Sequence, residues 1–485
     1  MFIGKAHEIS RRAFLQRSGQ LAMMGAASSY AMGLSGIAEA AAFGNGGGYK
    51  ALVCVFLYGG NDHGNTLIPF DAANYARYAA IRGQIGSEEA AGIALARASL
   101  ANTVLRTPDD QRLTDDITYS LAPTMPRLKA RYDQGVLAPL LNVGPLIAPL
   151  TRAQYDNNSV QRPAKLFSHN DQQSTWQSSE AEGAPSGWGG RMGDLALSSN
   201  THALLTAINA TANAVFLSGR SAAPYQVSPS GATLFNAIQN GRLFRSSAAS
   251  QALSTIIRSG SGNVLAADYA RITERSYQYG AFVNNALRNS ELSTNFGTGN
   301  RLADQLKVVA ALIAARNRLG VTRQVFMVSL GGFDNHDGLI GRHENLLSQV
   351  DFAMDAFYQA TVELGVASQV TTFTASDFGR TLESNGDGSD HGWGGHHFIL
   401  GGDVHGGRFY GVAPQVSVRS DDQVGGGRLL PRTSVDEYSA TLAQWFGVSA
   451  SELPSIAPNI GRFSTHNLGF MKAPQSALAN QITSL

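Results

Sequence analysis

Ala51-Leu52-Val53-Cys54-Val55-Phe56-Leu57-Tyr58 runs without a polar break into Gly59-Gly60-Asn61-Asp62. An apolar run with no alternation reads as a strand covered on both faces, the kind found inside a parallel sheet. Working outward, Val136 to Val143 is a second such run, preceded by helical spacing over Met125 to Tyr132. Gln324 to Leu330 is a third and ends in Gly331-Gly332, and Gln369 to Thr374 is a fourth and ends at Ala375-Ser376-Asp377. Between the last two, Leu346, Leu347, Val350, Phe352, Met354, Phe357 and Val362 recur at roughly helical period over His343 to Leu364. Strand, helix, strand predicts an α/β fold, a central mostly parallel sheet flanked by helices with right-handed crossovers.

Residues 197–323 read differently. Ala203 to Asn209 and Ala214 to Ser218 are weak strand candidates, and Leu302 to Arg316 has helical character. Ser259-Gly260-Ser261-Gly262-Asn263 and Gly297-Thr298-Gly299-Asn300 mark breaks. The stretch is expected to be a mainly helical insertion beside the sheet, with no recognisable chemistry and no repeat.

The ends and the composition bound the function. Ser10-Arg11-Arg12-Ala13-Phe14-Leu15, an uncharged Leu21 to Ile37, and Ala38-Glu39-Ala40 follow one another in the order of a twin-arginine signal with a cleavage site. Residues 1–42 are therefore expected to be a signal peptide, and 43–485 a domain working in the periplasm or outside the cell. Gly44 to Gly48 reads as a flexible joint between them. No later run would leave a permanent membrane span after cleavage. With 37 basic and 36 acidic residues and a net charge of +1, nothing points to nucleic acid. Cys54 is the single cysteine, which excludes an intrachain disulfide and a thiolate metal cluster. It reads as a small buried hydrophobe.

The polar residues fall where the apolar runs end. The first strand runs into Asn61-Asp62-His63, the third into Phe333-Asp334-Asn335-His336-Asp337, and the fourth into Ser376-Asp377-Phe378-Gly379-Arg380. Asp390-His391-Gly392-Trp393-Gly394-Gly395-His396-His397 follows soon after. Ligands of open parallel sheets bind beyond the carboxyl ends of the strands. Carboxylate oxygens with neutral imidazoles suit a divalent metal such as zinc or manganese, while an oxygen-dominated set would suit calcium. Asp62, Asp334, His336, Asp377 and His391 form the candidate ligand set, and which of His391, His396 and His397 faces inward stays open. Taken singly, each is equally readable as a cap, an Asx turn or a satisfied loop histidine. After the second strand, Ser168 stands where a loop enters a helix, as a cap or as a nucleophile with His169 beside it as base. Arg162, Arg191 and Arg380 are either anion clamps or ion-pair partners.

These motifs resemble domain-of-unknown-function family 1501, exported bacterial proteins grouped with the alkaline-phosphatase-like superfamily. The resemblance spans about Leu52 to Pro414 and rests on Leu57-Tyr58-Gly59-Gly60-Asn61-Asp62, Leu166-Phe167-Ser168-His169-Asn170 and Gly187-Trp188-Gly189-Gly190-Arg191. Gly331 to His336, Ser376 to Thr381 and Asp390 to Gly395 complete it. It implies a mixed sheet with a metal site at its edge. There Asp62 resembles the aspartate after the first strand, and Ser168 the nucleophile position. Asp334 with His336, and Asp377, resemble the later acidic positions, and His391 or His396 the late histidine. The chain departs from the phosphatase pattern in having one residue between Asp334 and His336, and Phe378 where histidine is common. No sulfatase-type cysteine and arginine signature surrounds Ser168.

Two functions follow. One is an exported metal-dependent hydrolase of phosphate or sulfate esters, acting on a small anionic ester substrate through Ser168, His169 and Arg380. The other is a non-catalytic exported binding or envelope-assembly protein that retains the fold. Neither reading identifies a protein partner.

Overall fold

The computed structural model describes residues 48–83, 92–212, 214–232, 242, 243, 245–258, 279–288, 290 and 292–472. The signal expected over 1–42 and the break expected at 259–263 lie outside the described residues.

The apolar run forms strand β1, Lys50–Tyr58, at the middle of the main sheet. The other strands of that sheet, in chain order, are β2 (Leu137–Gly144), β3 (Ala207–Asn209), β4 (Tyr225–Ser228), β5 (Gly231–Ala232), β6 (Arg323–Gly331) and β7 (Val370–Ser376). A separate ribbon of β8 (Arg380–Ser384) and β9 (Ser389–His391) follows, then β10 (Gly395–Gly401), β11 (Tyr410–Gly411) and β12 (Thr433–Ser434), which return to the main sheet. Their order is β11-β2-β10-β7-β1-β6-β3-β4-β5, with β12 also on β2. β1 pairs in parallel with both β6 and β7, and β3 and β4 extend the parallel part. β10 runs antiparallel between β7 and β2, and β5 closes an antiparallel edge hairpin. The sheet is mixed and mostly parallel, with helices on both faces.

Strand alternation divides the core in two. Ala51, Val53, Val55 and Leu57 point into one apolar cluster, and Leu52, Cys54 and Phe56 into the other. The first is covered by helices α1 (Pro126–Asp133), α4 (Arg301–Ala314) and α5 (Leu339–Glu363), through Leu128, Leu306, Val350, Met354 and Phe357. The second is covered by α2 (His169–Ser178), α3 (Trp188–Ala196) and α6 (Val435–Phe446), through Trp176, Trp188, Met192 and Leu442. Both faces of β1 are therefore dry, which is why its sequence has no polar alternation. Asn300 caps α4 by accepting from Leu302 N and Ala303 N, so the expected break at 297–300 is a helix start.

Residues 197–323 contribute β3, β4 and β5 to the sheet as well as α4. Of the two weak strand candidates, only Ala207–Asn209 is extended; Ala203–Leu205 and Val215–Leu217 are 3-10 turns. The second turn is dictated by packing. A β-carbon on Gly189 would lie 2.5 Å from the Phe216 ring, so the glycines of the Gly187–Gly190 motif make room for this segment against α3. Among the described residues no helix is long and apolar enough to cross a membrane.

Candidate metal centre

Register places the loops. Leu57 pairs with Ser376 and Tyr58 with Gly331, so β1, β6 and β7 end level with one another. Val143 of β2 pairs with Gly395 at the start of antiparallel β10, bringing the 389–394 segment and the exit of β2 to the same edge. Gly59, at φ 114°, lets two of these loops touch: a β-carbon there would sit 2.4 Å from Asp334 N.

At this edge the Asp334 carboxylate is the meeting point. Its Oδ1 lies 3.1 Å from His336 Nε2 and 3.3 Å from His391 Nε2, and its Oδ2 lies 3.4 Å from His169 Nε2. His169, Asp334 and His391 each offer one atom within 4.8 Å of the others, a separation that suits a metal ion. His336 adjoins them, with Nε2 2.9 Å from His391 Nε2.

The far side of each ring is engaged. His169 Nδ1 is 2.6 Å from Asp377 Oδ2, His391 Nδ1 donates to Phe167 O at 2.8 Å, and His336 Nδ1 is 3.3 Å from Asp390 Oδ1. A neutral imidazole that donates from Nδ1 carries its lone pair on Nε2. With Nδ1 so engaged, the neutral form of each ring turns an acceptor Nε2 toward the carboxylate and its neighbours. Two such nitrogens 2.9 Å apart need a proton or a cation between them. Phe167 supplies its carbonyl from a left-handed backbone, φ 71°, which is uncommon for a bulky residue and sits where a site stores strain.

Arg380 sits behind the cluster, fully buried. Its Nη1 donates to Asp334 Oδ1 at 2.7 Å and to Gly59 O at 3.1 Å, and its Nε to Ser389 O at 3.1 Å. Burial works to raise Asp334, but the Arg380 guanidinium, helped by His169 and His336, holds its carboxyl below the usual range. The bond to Asp377 raises His169, whereas burial lowers His391 despite the bond to Phe167.

Several expected site residues stand elsewhere. Asp62 is not among the converging groups. It is buried in an ion pair with Arg82 at 2.7 Å, accepts from Ser389 Oγ at 2.7 Å and from Asn65 N at 2.8 Å, and so is closed off from the cleft. Asp377 touches the cluster only through His169, sharing Oδ2 with Gln173 Nε2 at 2.8 Å. His396 lies under the loops, its Nδ1 accepting from Asn142 N at 3.1 Å, and His397 packs edge-on to Trp176 at 4.7 Å. Ser168 is the N-cap residue of α2, yet its hydroxyl donates to Asp171 Oδ2 at 2.9 Å, away from His169. Arg191 is buried and donates to the carbonyls of Ser178, Ser186 and Ile456, a structural brace. Arg162 bonds Asn158 and covers the Tyr155 ring at 4.6 Å, outside the cluster.

Sequence reasoning missed Asp390, Gln173 and the Phe167 carbonyl, which orient the rings, and Arg82, which closes on Asp62. Asp390 sits beside His391 in a motif already singled out, so adjacency could have found it. No sequence signal ties Arg82 to Asp62.

A protein-family model described as "Protein of unknown function (DUF1501)" matches residues 49–430. No curated protein matches this sequence. Among solved structures, the lipoteichoic acid synthase LtaP from Listeria monocytogenes is similar at 8% identity and a TM-score of 0.33, covering 86% of this chain and 76% of that one. A Bacteroides thetaiotaomicron sulfatase associated with metabolism of multiple glycosaminoglycans is similar at 10% identity and 0.34, covering 84% and 74%. At these levels nothing about activity passes from either protein to this chain.

Proposed function

This chain belongs to the DUF1501 family, and we propose that it is an exported metal-dependent hydrolase-like protein acting on phosphate or sulfate esters. The observation that supports this reading is the convergence of three imidazole Nε2 edges on Asp334, with each Nδ1 taken up behind. Rings oriented by an outer carboxylate or carbonyl are how proteins hold metal-ligating histidines. His169, Asp334 and His391 would hold the ion, with His336 next to them. A nitrogen-rich set favours zinc or manganese over calcium. The metal, when bound, would polarise an ester oxygen and make bound water a better nucleophile.

The protein groups around it position. Asp377 and Gln173 fix His169, the Phe167 carbonyl fixes His391, and Arg380 clamps Asp334 to the end of β1. Arg380 is closed in by these bonds, so it braces the carboxylate and does not receive a substrate anion. With the Ser168 hydroxyl committed to Asp171, the reading has water rather than serine as the nucleophile. Export rests on the order of features in residues 1–42 and belongs to the same proposal. So does fold kinship with the alkaline-phosphatase-like superfamily.

The second reading, a non-catalytic exported binding protein, is favoured by one observation. Asp62 and His396 are both withdrawn from the edge, which leaves ligands for one ion rather than two. Metal analysis of the purified mature chain, with aryl phosphate and aryl sulfate assays, separates the two. Stoichiometric zinc or manganese with turnover supports the hydrolase. A well-folded, metal-free chain without turnover removes it.

A further inference from the structure

A glycine turn lies in the segment that follows β10. Gly425, Gly426 and Gly427 have φ of 111°, 60° and 70°, a succession that residues with side chains rarely adopt. Val424 N donates to Arg428 O at 2.9 Å and Arg428 N to Gly425 O at 3.0 Å, which closes the turn. It delivers Val424 and Arg428 to an open cleft of about 480 Å³, whose remaining wall is Phe167, His336, Asp390 and His391.

The Arg428 guanidinium is preset there. Its Nε donates to His391 O at 2.8 Å and its Nη1 to Gly425 O at 3.2 Å, while its Cζ lies 5.4 Å from the Phe167 ring centre. Both bonds go to backbone carbonyls, which carry no net charge; the Asp390 carboxylate in the same wall is near enough to feel the guanidinium but is not bonded to it. Two of the five guanidinium N–H groups serve these bonds, which leaves the rest of the fork to meet an anion. Of Arg162, Arg191 and Arg380, which the sequence offered as anion clamps or ion-pair partners, Arg380 and Arg191 are closed off by their own partners and Arg162 lies outside the cluster.

We infer that Arg428 is the specificity-determining residue of the cleft, and that it takes the tetrahedral anion, phosphate or sulfate, of a ligand entering beside His336 and His391. The inference rests on the phosphate- or sulfate-ester reading of this site. Phe167 and Val424 then offer the apolar wall for the organic part of the ester. Holding a guanidinium in place before binding lowers the ordering cost of each anion contact.

The test is titration calorimetry of inorganic phosphate and of sulfate into the full mature chain, with and without zinc. It compares wild type, Arg428→Gln and Arg428→Lys, with zinc affinity measured alongside. Arg428→Gln should weaken anion binding about tenfold or more while zinc affinity stays within about threefold, and Arg428→Lys should fall between. Equal anion affinity in wild type and Arg428→Gln, or no anion binding in any form, overturns the inference. If zinc is held normally in that case, the metal reading survives. A chain that takes no zinc yet shows Arg428-dependent phosphate binding breaks the metal reading and supports the inference. If Arg428→Gln does not fold, the Arg428→Lys comparison decides alone.

Discussion

Two groups of histidines lie close together in this molecule and have opposite fates. His169, His336 and His391 have side chains 28%, 43% and 27% exposed, and they turn Nε2 toward Asp334. His63, His396 and His397 are 5%, 4% and 2% exposed and lie beneath the loops. His63 and His396 meet edge to face at 5.1 Å, and His397 meets Trp176 in the same manner. Burial lowers His63 to about 4 and His397 to about 3, and it lowers His396 as well. The buried rings serve as neutral packing, whereas the half-open ones are oriented acceptors. What separates them is water access and an acceptor behind each Nδ1, not the density of histidine in the sequence.

The largest expected effect tests the open group. Asp334→Ala should lower zinc affinity by more than about a hundredfold, since the carboxylate faces all three rings. His396→Phe should leave it within about threefold. Equal zinc affinities in the two variants would erase the distinction between the groups. Next comes Asp62→Ala, which strips the partner from buried Arg82 and should cost about 3–5 kcal/mol in denaturant unfolding. A loss below about 1 kcal/mol, with zinc binding abolished instead, would return Asp62 to the ligand set.

Smaller effects sharpen the contrast. Asp377→Asn keeps the shape but weakens the acceptor behind His169, so zinc affinity should drop about 10–100-fold without loss of folding. No change would make that contact irrelevant to metal binding. The buried group predicts a pH effect on stability. His343, which burial lowers to about 4, joins His63 and His397 in staying neutral in the folded chain below the ordinary histidine value of 6.5. Between 6.5 and about 4 the unfolded chain therefore binds more protons. Stability from these rings is whole above pH 6.5 and declines as pH falls toward 4 and then 3. Thermal midpoints of the metal-free chain should decline over that range; a flat profile would remove this role from the buried rings.

Much of this arrangement can be read in the chain, and particular residues show where reading stops. The dry strand at 51–58, the Gly331-Gly332 exit before Asp334 and the Ala375-Ser376 exit before Asp377 are local patterns, so the sheet and its loaded edge were legible. His396 and His397 read as part of a loop motif in the sequence, but they lie at the start of strand β10. Successive strand residues face opposite sides. Phe398 and Leu400 join one core cluster and Ile399 the other, so each of the two histidines is carried to a different face. Gly395-His396-His397-Phe398-Ile399-Leu400 could have been read this way. The Asp62–Arg82 pair and the Phe167 carbonyl behind His391 could not, because each depends on a tertiary approach that no local pattern encodes.

The position of β1 also sets a timetable for biogenesis. It is made early, yet both its partners, Arg323–Gly331 and Val370–Ser376, come from far down the chain. A ribosome must therefore travel from Tyr58 to Arg323 before the central strand gains its first neighbour and on to Val370 before it gains the second, and His391 emerges later still. No product that stops short of His391 can assemble the cluster of His169, Asp334 and His391. Any ion it carries is acquired after His391 has been made, in whichever compartment the chain completes its pairing.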